Sequence, residues 1–153
     1  MSYREINGNL LDLFDQGEFE MIGHGANCHS TMDSGIAAQI KERFPVAYYA
    51  DKYCSLSPLE KLGHFSVGCG HNDPGWVVNF YTQFNPGPDA DYIWLKSSLR
   101  KFNYEWEGAF EFIGLPKIGC GIGGLKWEIV KTIIQKELIG FDVTIVHYER
   151  KTE

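Results

Sequence analysis

The stretch Leu115–Val130, LPKIGCGIGGLKWEIV, sets glycines at 119, 121, 123 and 124 and then turns to helical periodicity. Gly119, Gly121 and Gly124 spell G-x-G-x-x-G, the spacing of a loop whose backbone N–H groups cradle phosphate where a helix begins. Upstream, FEFIGLP reads as the strand that feeds the loop. Downstream, Trp127, Val130, Ile134 and Leu138 share one helical face, and Gly140 is a natural C-terminal stop. DVTIVHY then reads as a buried strand. Strand, glycine loop, helix and strand also spell a dinucleotide site, with Glu149 at a tolerable distance for a ribose-binding acid. That reading fails on position. The motif opens at Gly119 of 153 residues, which leaves no room for the further strand–helix units such a fold needs.

Working outward, a second strand runs through small residues into a helix. FEMIGHG (Phe19 to Gly25) is strand-like, and in DSGIAAQIKERF the residues Ile36, Ile40 and Phe44 recur at helical spacing, with Asp33 or Ser34 placed to cap the N-terminus. Pro45 fixes where that helix stops. HFSVGC and WVVNFYTQF read as adjacent antiparallel strands around the GHNDPG turn. In DADYIWLKSSLRKF, Tyr92, Leu95, Leu99 and Phe102 fall on one helical face. Strands alternating with helices predict one three-layer α/β/α domain over residues 1–153 with a mixed central sheet. In such sheets ligands sit at the carboxyl ends of the strands, so the two loops converge on one site and can grip a diphosphate from both sides.

Composition narrows the function classes. The chain carries 20 acidic and 14 basic residues, a net charge of -6, so the basic face of a duplex nucleic-acid binder is not expected. An anion would have to be held locally, by backbone donors. No run approaches the ~20 apolar residues of a membrane span, and MSYREINGN lacks a signal-peptide core. Cys28, Cys54, Cys69 and Cys120 are scattered, which fits reduced thiols and a cytoplasmic protein. A zinc site at Cys69, His71 and Asp73 lacks the paired ligands of a structural centre. No metal or cofactor is expected.

With both loops in view, the sequence resembles the macro domain family, which binds ADP-ribose, and within it the branch of ADP-ribose-1''-phosphate-processing proteins and ADP-ribosyl glycohydrolases. GANCHSTMDSGIAAQIKERFP is similar to that branch's N-C-x-G-x-M-G-x-G-I-A and following helix, and LPKIGCGIGGLKWEIV to its second phosphate loop. The likeness runs from about Gly8 to Tyr148. It implies that Asn27 meets the distal ribose. Cys28, Met32, Ser34, Gly35 and Ile36 then belong to the first ligand loop. Gly119, Cys120, Gly121, Ile122, Gly123, Gly124 and Leu125 form the diphosphate loop. Asn9 stands where many relatives carry an aspartate for the adenine amino group, and Tyr148 is placed to pack on adenine. Three departures bear on mechanism. Ser30 and Asp33 replace two loop glycines, Gln83 stands where glycohydrolases of the branch use a lysine, and Gly123 stands where some relatives place a catalytic aspartate.

Asp33 and His29 are the candidate catalytic pair. Asp33 would orient or activate water, and His29 would protonate the leaving oxygen. The simpler readings are a helix-capping Asp33 and a solvent-facing His29. Cys28 beside His29 suggests a thiol nucleophile, but adjacent residues in an extended loop point apart. His24 reads as a satisfied structural histidine, and Lys117 and Lys126 as solvated charges. The expected activity is hydrolysis of ADP-ribose-1''-phosphate to ADP-ribose and phosphate. The alternatives are a non-catalytic ADP-ribose reader or scavenger, and a hydrolase acting on ADP-ribosylated protein or nucleic acid.

Overall fold

In the computed structural model, which describes residues 2–69 and 75–148, six strands form one sheet in the order β1-β6-β5-β2-β4-β3. The elements in chain order are β1 (Tyr3–Gly8), α1 (Leu10–Asp15), β2 (Met21–Ala26), α2 (Gly35–Arg43), α3 (Pro45–Lys52) and α4 (Pro58–Lys61). They continue as β3 (Phe65–Cys69), β4 (Trp76–Tyr81), α5 (Tyr92–Trp106), β5 (Phe112–Leu115), α6 (Trp127–Glu137) and β6 (Asp142–Tyr148). All neighbours are parallel except β3, which pairs antiparallel with β4. The sheet is therefore mixed, as the alternation predicts.

Alternate residues of each strand feed opposite cores, which makes the molecule three-layered. On β4, Val78 and Phe80 join Leu95, Leu99 and Phe102 of α5 and Val130 and Ile134 of α6, whereas Val77 packs with α1, α2 and α3 through Phe14, Ile40 and Ala47. The helical faces read from the spacing of α5 and α6 are the faces that are buried.

Three details differ from the expectations. Pro45 does end α2, but it also opens α3 as its first residue, where its missing N–H costs nothing. The α6 helix ends at Glu137, and Gly140 instead donates its N–H to Asn103 Oδ1 at 2.8 Å. Strand β1 has no counterpart in the sequence reading. It is an edge strand in register with β6, Tyr3 opposite Val143 and Gly8 opposite Tyr148. The turn residues His71 and Asp73, and Glu149 after β6, lie outside the described residues.

The edge is fastened by charge. Glu5 accepts from Lys131 Nζ at 2.8 Å, from His147 Nε2 at 2.6 Å and from the Tyr3 hydroxyl at 3.0 Å. The Lys131 ammonium foremost, with the other two donors, holds the Glu5 carboxyl down to about 2. A carboxyl depressed in the folded state adds stability above its unfolded value, lost as pH falls toward the folded one. Glu5→Gln is thus expected to cost about 1 kcal/mol at pH 7, discounted for the half-exposed Lys131, and almost nothing at pH 2. Urea unfolding at both pH values checks this. An equal cost at the two would show that the carboxylate is not what fastens β1.

Candidate functional site

At the carboxyl ends of β2, β4 and β5 the sheet opens into a cleft of about 370 Å³. That is in the size range of small-molecule sites. Its walls are the two loops read from the sequence. Asn27, Met32, Asp33, Ser34, Gly35 and Ile36 line one side, and Gly119, Gly121, Ile122 and Gly123 the other.

The walls offer backbone donors. Ser34 occupies the N-cap position of α2 with extended backbone, yet its side chain makes no capping bond. Among the described residues, the N–H groups of Gly35, Ile36 and Ala37 therefore stand unpaired at the positive end of the helix, beside the cleft. Across from them, the second loop is closed by its own bonds: Cys120 N–H to the Lys117 carbonyl, Gly124 N–H to Gly121, and Leu125 N–H to Gly119. Those bonds leave the N–H groups of Gly121, Ile122 and Gly123 without a protein acceptor among the described residues. Cys120, Gly124 and Leu125 thus shape the loop without lining the cleft. Gly119 and Gly124 take φ of 74° and 85°, the left-handed backbone that glycine adopts without steric cost.

The first loop is built around side chains tied to one another. Asn27 donates through Nδ2 to Thr31 Oγ1 at 2.8 Å and accepts at Oδ1 from the His29 N–H at 2.8 Å, so it holds the loop's shape as well as facing the cleft. Cys28 is buried; its N–H bonds the Phe84 carbonyl and its thiol the Gln83 carbonyl. Burial pushes that thiol up to about 11, which removes it as a nucleophile near neutral pH.

The expected Asp33–His29 pair is not formed. Asp33 is exposed on the cleft wall, but His29 turns away from it. The imidazole lies edge-on to Phe84, 4.7 Å between centroids, with Nε2 3.3 Å from Asn85 Oδ1. Asn9 and Tyr148 also stand apart from the lining, together at the ends of the adjacent β1 and β6. Asn9 spends its Oδ1 on capping α1, accepting from Asp12 N–H at 3.1 Å, and Tyr148 is exposed. Gln83 lines the cleft, but its amide braces the next turn, donating to the carbonyls of Asn85 and Gly87 at 2.7 and 2.8 Å. Gly123 could not carry an aspartate in this backbone. A Cβ there would stand 2.7 Å from the Gly119 carbonyl oxygen and 2.9 Å from Ala90 Cβ.

A macro domain model matches residues 24–134, which span the first loop, the middle of the sheet and the second loop. The chain belongs to the macro domain family. It is 34% identical to a 17.5 kDa protein of the tk-vs intergenic region of Enterobacteria phage T4, over 97% of this chain and 98% of that one. It is 31% identical over 82% of its length to the DNA ADP-ribosyl glycohydrolase of Mycobacterium tuberculosis, of which it spans only 35%. Among solved structures, the macrodomain of Thermus aquaticus DarG superposes with a TM-score of 0.75 at 27% identity, over 97% of this chain and 98% of that one. Relatives named ADP-ribose 1''-phosphate phosphatase match at lower identity, 23% for that of Candida albicans over 92% of this chain.

Four contributors to this macro domain cleft escape the sequence reading. Lys117, taken as a solvated charge, lines the second loop's side. Thr82 borders the cleft with its buried Oγ1 unpartnered among the described residues. Lys61 and Asp51, buried behind the first loop, are the others, and Asp51 also borders the cleft. Only Lys117 had a usable signal, its place inside the glycine loop. His24 is buried and burial lowers its pKa, so the neutral ring donates from Nε2 to Asn79 Oδ1 at 2.6 Å; its Nδ1 is buried without a partner among the described residues, so the satisfied structural histidine expected is only half satisfied. Among the described residues no His, Cys, Asp and Glu cluster is arranged for a metal, and no helix is long and apolar enough to cross a membrane.

Proposed function

We propose that the cleft binds ADP-ribose, its diphosphate between the uncapped start of α2 and the N–H groups of residues 121–123, and that the protein hydrolyses ADP-ribose-1''-phosphate to ADP-ribose and phosphate. The observation that carries the catalytic half is Asp33, an exposed carboxylate on the cleft wall in the loop that the family resemblance sets around the distal ribose. There it can orient a water for attack on phosphorus; the bond from phosphorus to the 1'' oxygen breaks, and that oxygen leaves with a proton. A covalent lysine route lacks its lysine, since Gln83 braces the 85–87 turn instead. An acid role for His29 requires its ring to leave Phe84 and Asn85.

The test is phosphate release from ADP-ribose-1''-phosphate, with ADP-ribose affinity measured alongside. Asp33→Ala is expected to lower kcat about 100-fold or more with affinity changed less than about threefold, and His29→Ala to lower it less. Full turnover in Asp33→Ala would remove the carboxylate from the mechanism. Binding by the native protein with no release from this substrate or from an ADP-ribosylated oligonucleotide would make it a reader. The similarity to DNA ADP-ribosyl glycohydrolases supports a second reading, removal of ADP-ribose from modified DNA. ADP-ribose freed from an ADP-ribosylated oligonucleotide, with no phosphate freed from the small substrate, would establish that one instead.

A further inference from the structure

The first loop holds two non-glycine residues in left-handed backbone, Ser30 at φ 55° and Met32 at φ 46°. Such geometry is costly for side chains with a Cβ and persists where surroundings enforce it. Met32 is pinned by its own side chain, which is 3% exposed in the core beneath α2. Ser30 is pinned by something less common. Its hydroxyl donates to Asp51 Oδ1 at 3.0 Å and accepts from Lys61 Nζ at 2.9 Å. Lys61 and Asp51 form an ion pair at 3.0 Å with side chains only 5% and 1% exposed.

The pair is committed on every side but one. Lys61 spends its three protons on Ser30 Oγ, the Asp51 carbonyl and Asp51 Oδ1. Asp51 Oδ1 accepts from Tyr81 as well, at 2.8 Å, while its Oδ2 is buried without a partner among the described residues. The network reaches on through Ser66 to Asn79 on β4, whose Nδ2 donates to the Ala47 carbonyl of α3. The capping box of Ser57 and Glu60 fixes the short helix that delivers Lys61. Packing alone would be better served by apolar residues, because a buried ion pair recovers its desolvation cost only with good geometry and full hydrogen bonding. What this pair holds is the residue immediately before the cleft-lining run from Thr31 to Ala37.

We propose that the buried Lys61–Asp51 pair is the positioning element of the first ligand loop: by clamping the Ser30 hydroxyl it imposes the left-handed turn that aims the N-terminus of α2 at the diphosphate of a bound ADP-ribose. The clamp supplies by hydrogen bonding the conformation that a glycine would adopt unaided for lack of a Cβ. The inference rests on the ADP-ribose reading of the cleft for its ligand and on the loop geometry for its mechanism.

The experiment uses Ser30→Ala and Ser30→Gly, which both leave the ion pair in place, and reads ADP-ribose affinity by calorimetry and amide hydrogen exchange at residues 30–34 in the free protein. Ser30→Ala keeps the strain and loses the clamp. Its affinity is expected to fall about tenfold and its loop amides to exchange faster. Ser30→Gly is expected to recover affinity to within about threefold, because glycine enters the turn unaided. Asp51→Asn, combined with Ser30→Ala, is expected to weaken binding no further than the worse single change, since both act through one contact. Native exchange and affinity in Ser30→Ala, or fully additive losses in the double variant, would overturn the proposal. Should Asp51→Asn fail to fold, the Ser30 pair still decides. If the native protein does not bind ADP-ribose, the ligand reading falls, and the exchange rates still settle whether the clamp holds the loop.

Discussion

Gly121→Glu is expected to abolish ADP-ribose binding, by about 100-fold or more, while leaving the fold intact. The backbone at Gly121 is not left-handed, and a Cβ built there meets no atom within 4 Å, so the side chain has open space to enter. That space is the cleft, and the glutamate brings a negative charge to the N–H groups meant for the diphosphate. At a few ångströms, charge repulsion near a protein surface is worth about 4 kcal/mol per pair of charges, more than enough for the loss. Gly121→Ala serves as the control, with affinity within about threefold, because it adds bulk without charge. Calorimetric titration of the three proteins, with thermal melts to show equal folding, decides it. Native affinity in Gly121→Glu would mean that the second loop is not where the phosphates lie.

The contrast between Gly121 and Gly123 shows what the motif's spelling can and cannot convey. Gly121 belongs to the G-x-G-x-x-G spelling and Gly123 does not. In the structure one faces open space and the other is wedged against the Gly119 carbonyl and Ala90, whose position depends on the Gln83–Ala90 bridge. The spelling located the loop; tertiary contacts decided which of its glycines are compulsory. Strands β2, β4, β5 and β6 were legible as apolar runs, and α5 and α6 as apolar faces, because burial wrote itself into local periodicity. Strand β1 was not, since Arg4 and Glu5 give it the look of a surface segment and its pairing partner lies about 140 residues away.

The site follows the same division. Both loops were legible because glycine and small residues are required by backbone approach, a local demand. His29 was misplaced because its direction is set by Phe84 and Asn85, which follow β4 more than fifty residues along the chain. Lys61 and Asp51 sit in ADKYCSLSPLEK, where neither belongs to a motif. Only Ser30 and Tyr81, arriving from β2's loop and from β4, turn that segment into a buried clamp. No window of sequence around either residue carries that signal.

Phe102→Ala is expected to destabilise the domain by about 3–5 kcal/mol, the cost of removing a large buried ring with little local collapse. The ring is fully buried and sits among Phe65, Phe80, Trp106 and Phe141 at centroid distances of 5.3, 5.3, 6.2 and 5.2 Å. It joins α5 to β3 and β4 and to the segment before β6, so the cavity cannot be closed by one neighbour moving. Tyr104, two residues along the same helix and 87% exposed, supplies the contrast: Tyr104→Ala is expected to cost less than about 0.5 kcal/mol. Urea denaturation of both variants measures the difference, and thermal melts are expected to show the midpoint of Phe102→Ala lower by roughly 10 °C. Because the ring lies behind the sheet from α2 and the first loop, ADP-ribose affinity at low temperature should change less than about threefold while the protein remains folded. Equal losses at 102 and 104 would mean that α5 presents a different face to the sheet, and with it the placement of the turn that Gln83 braces.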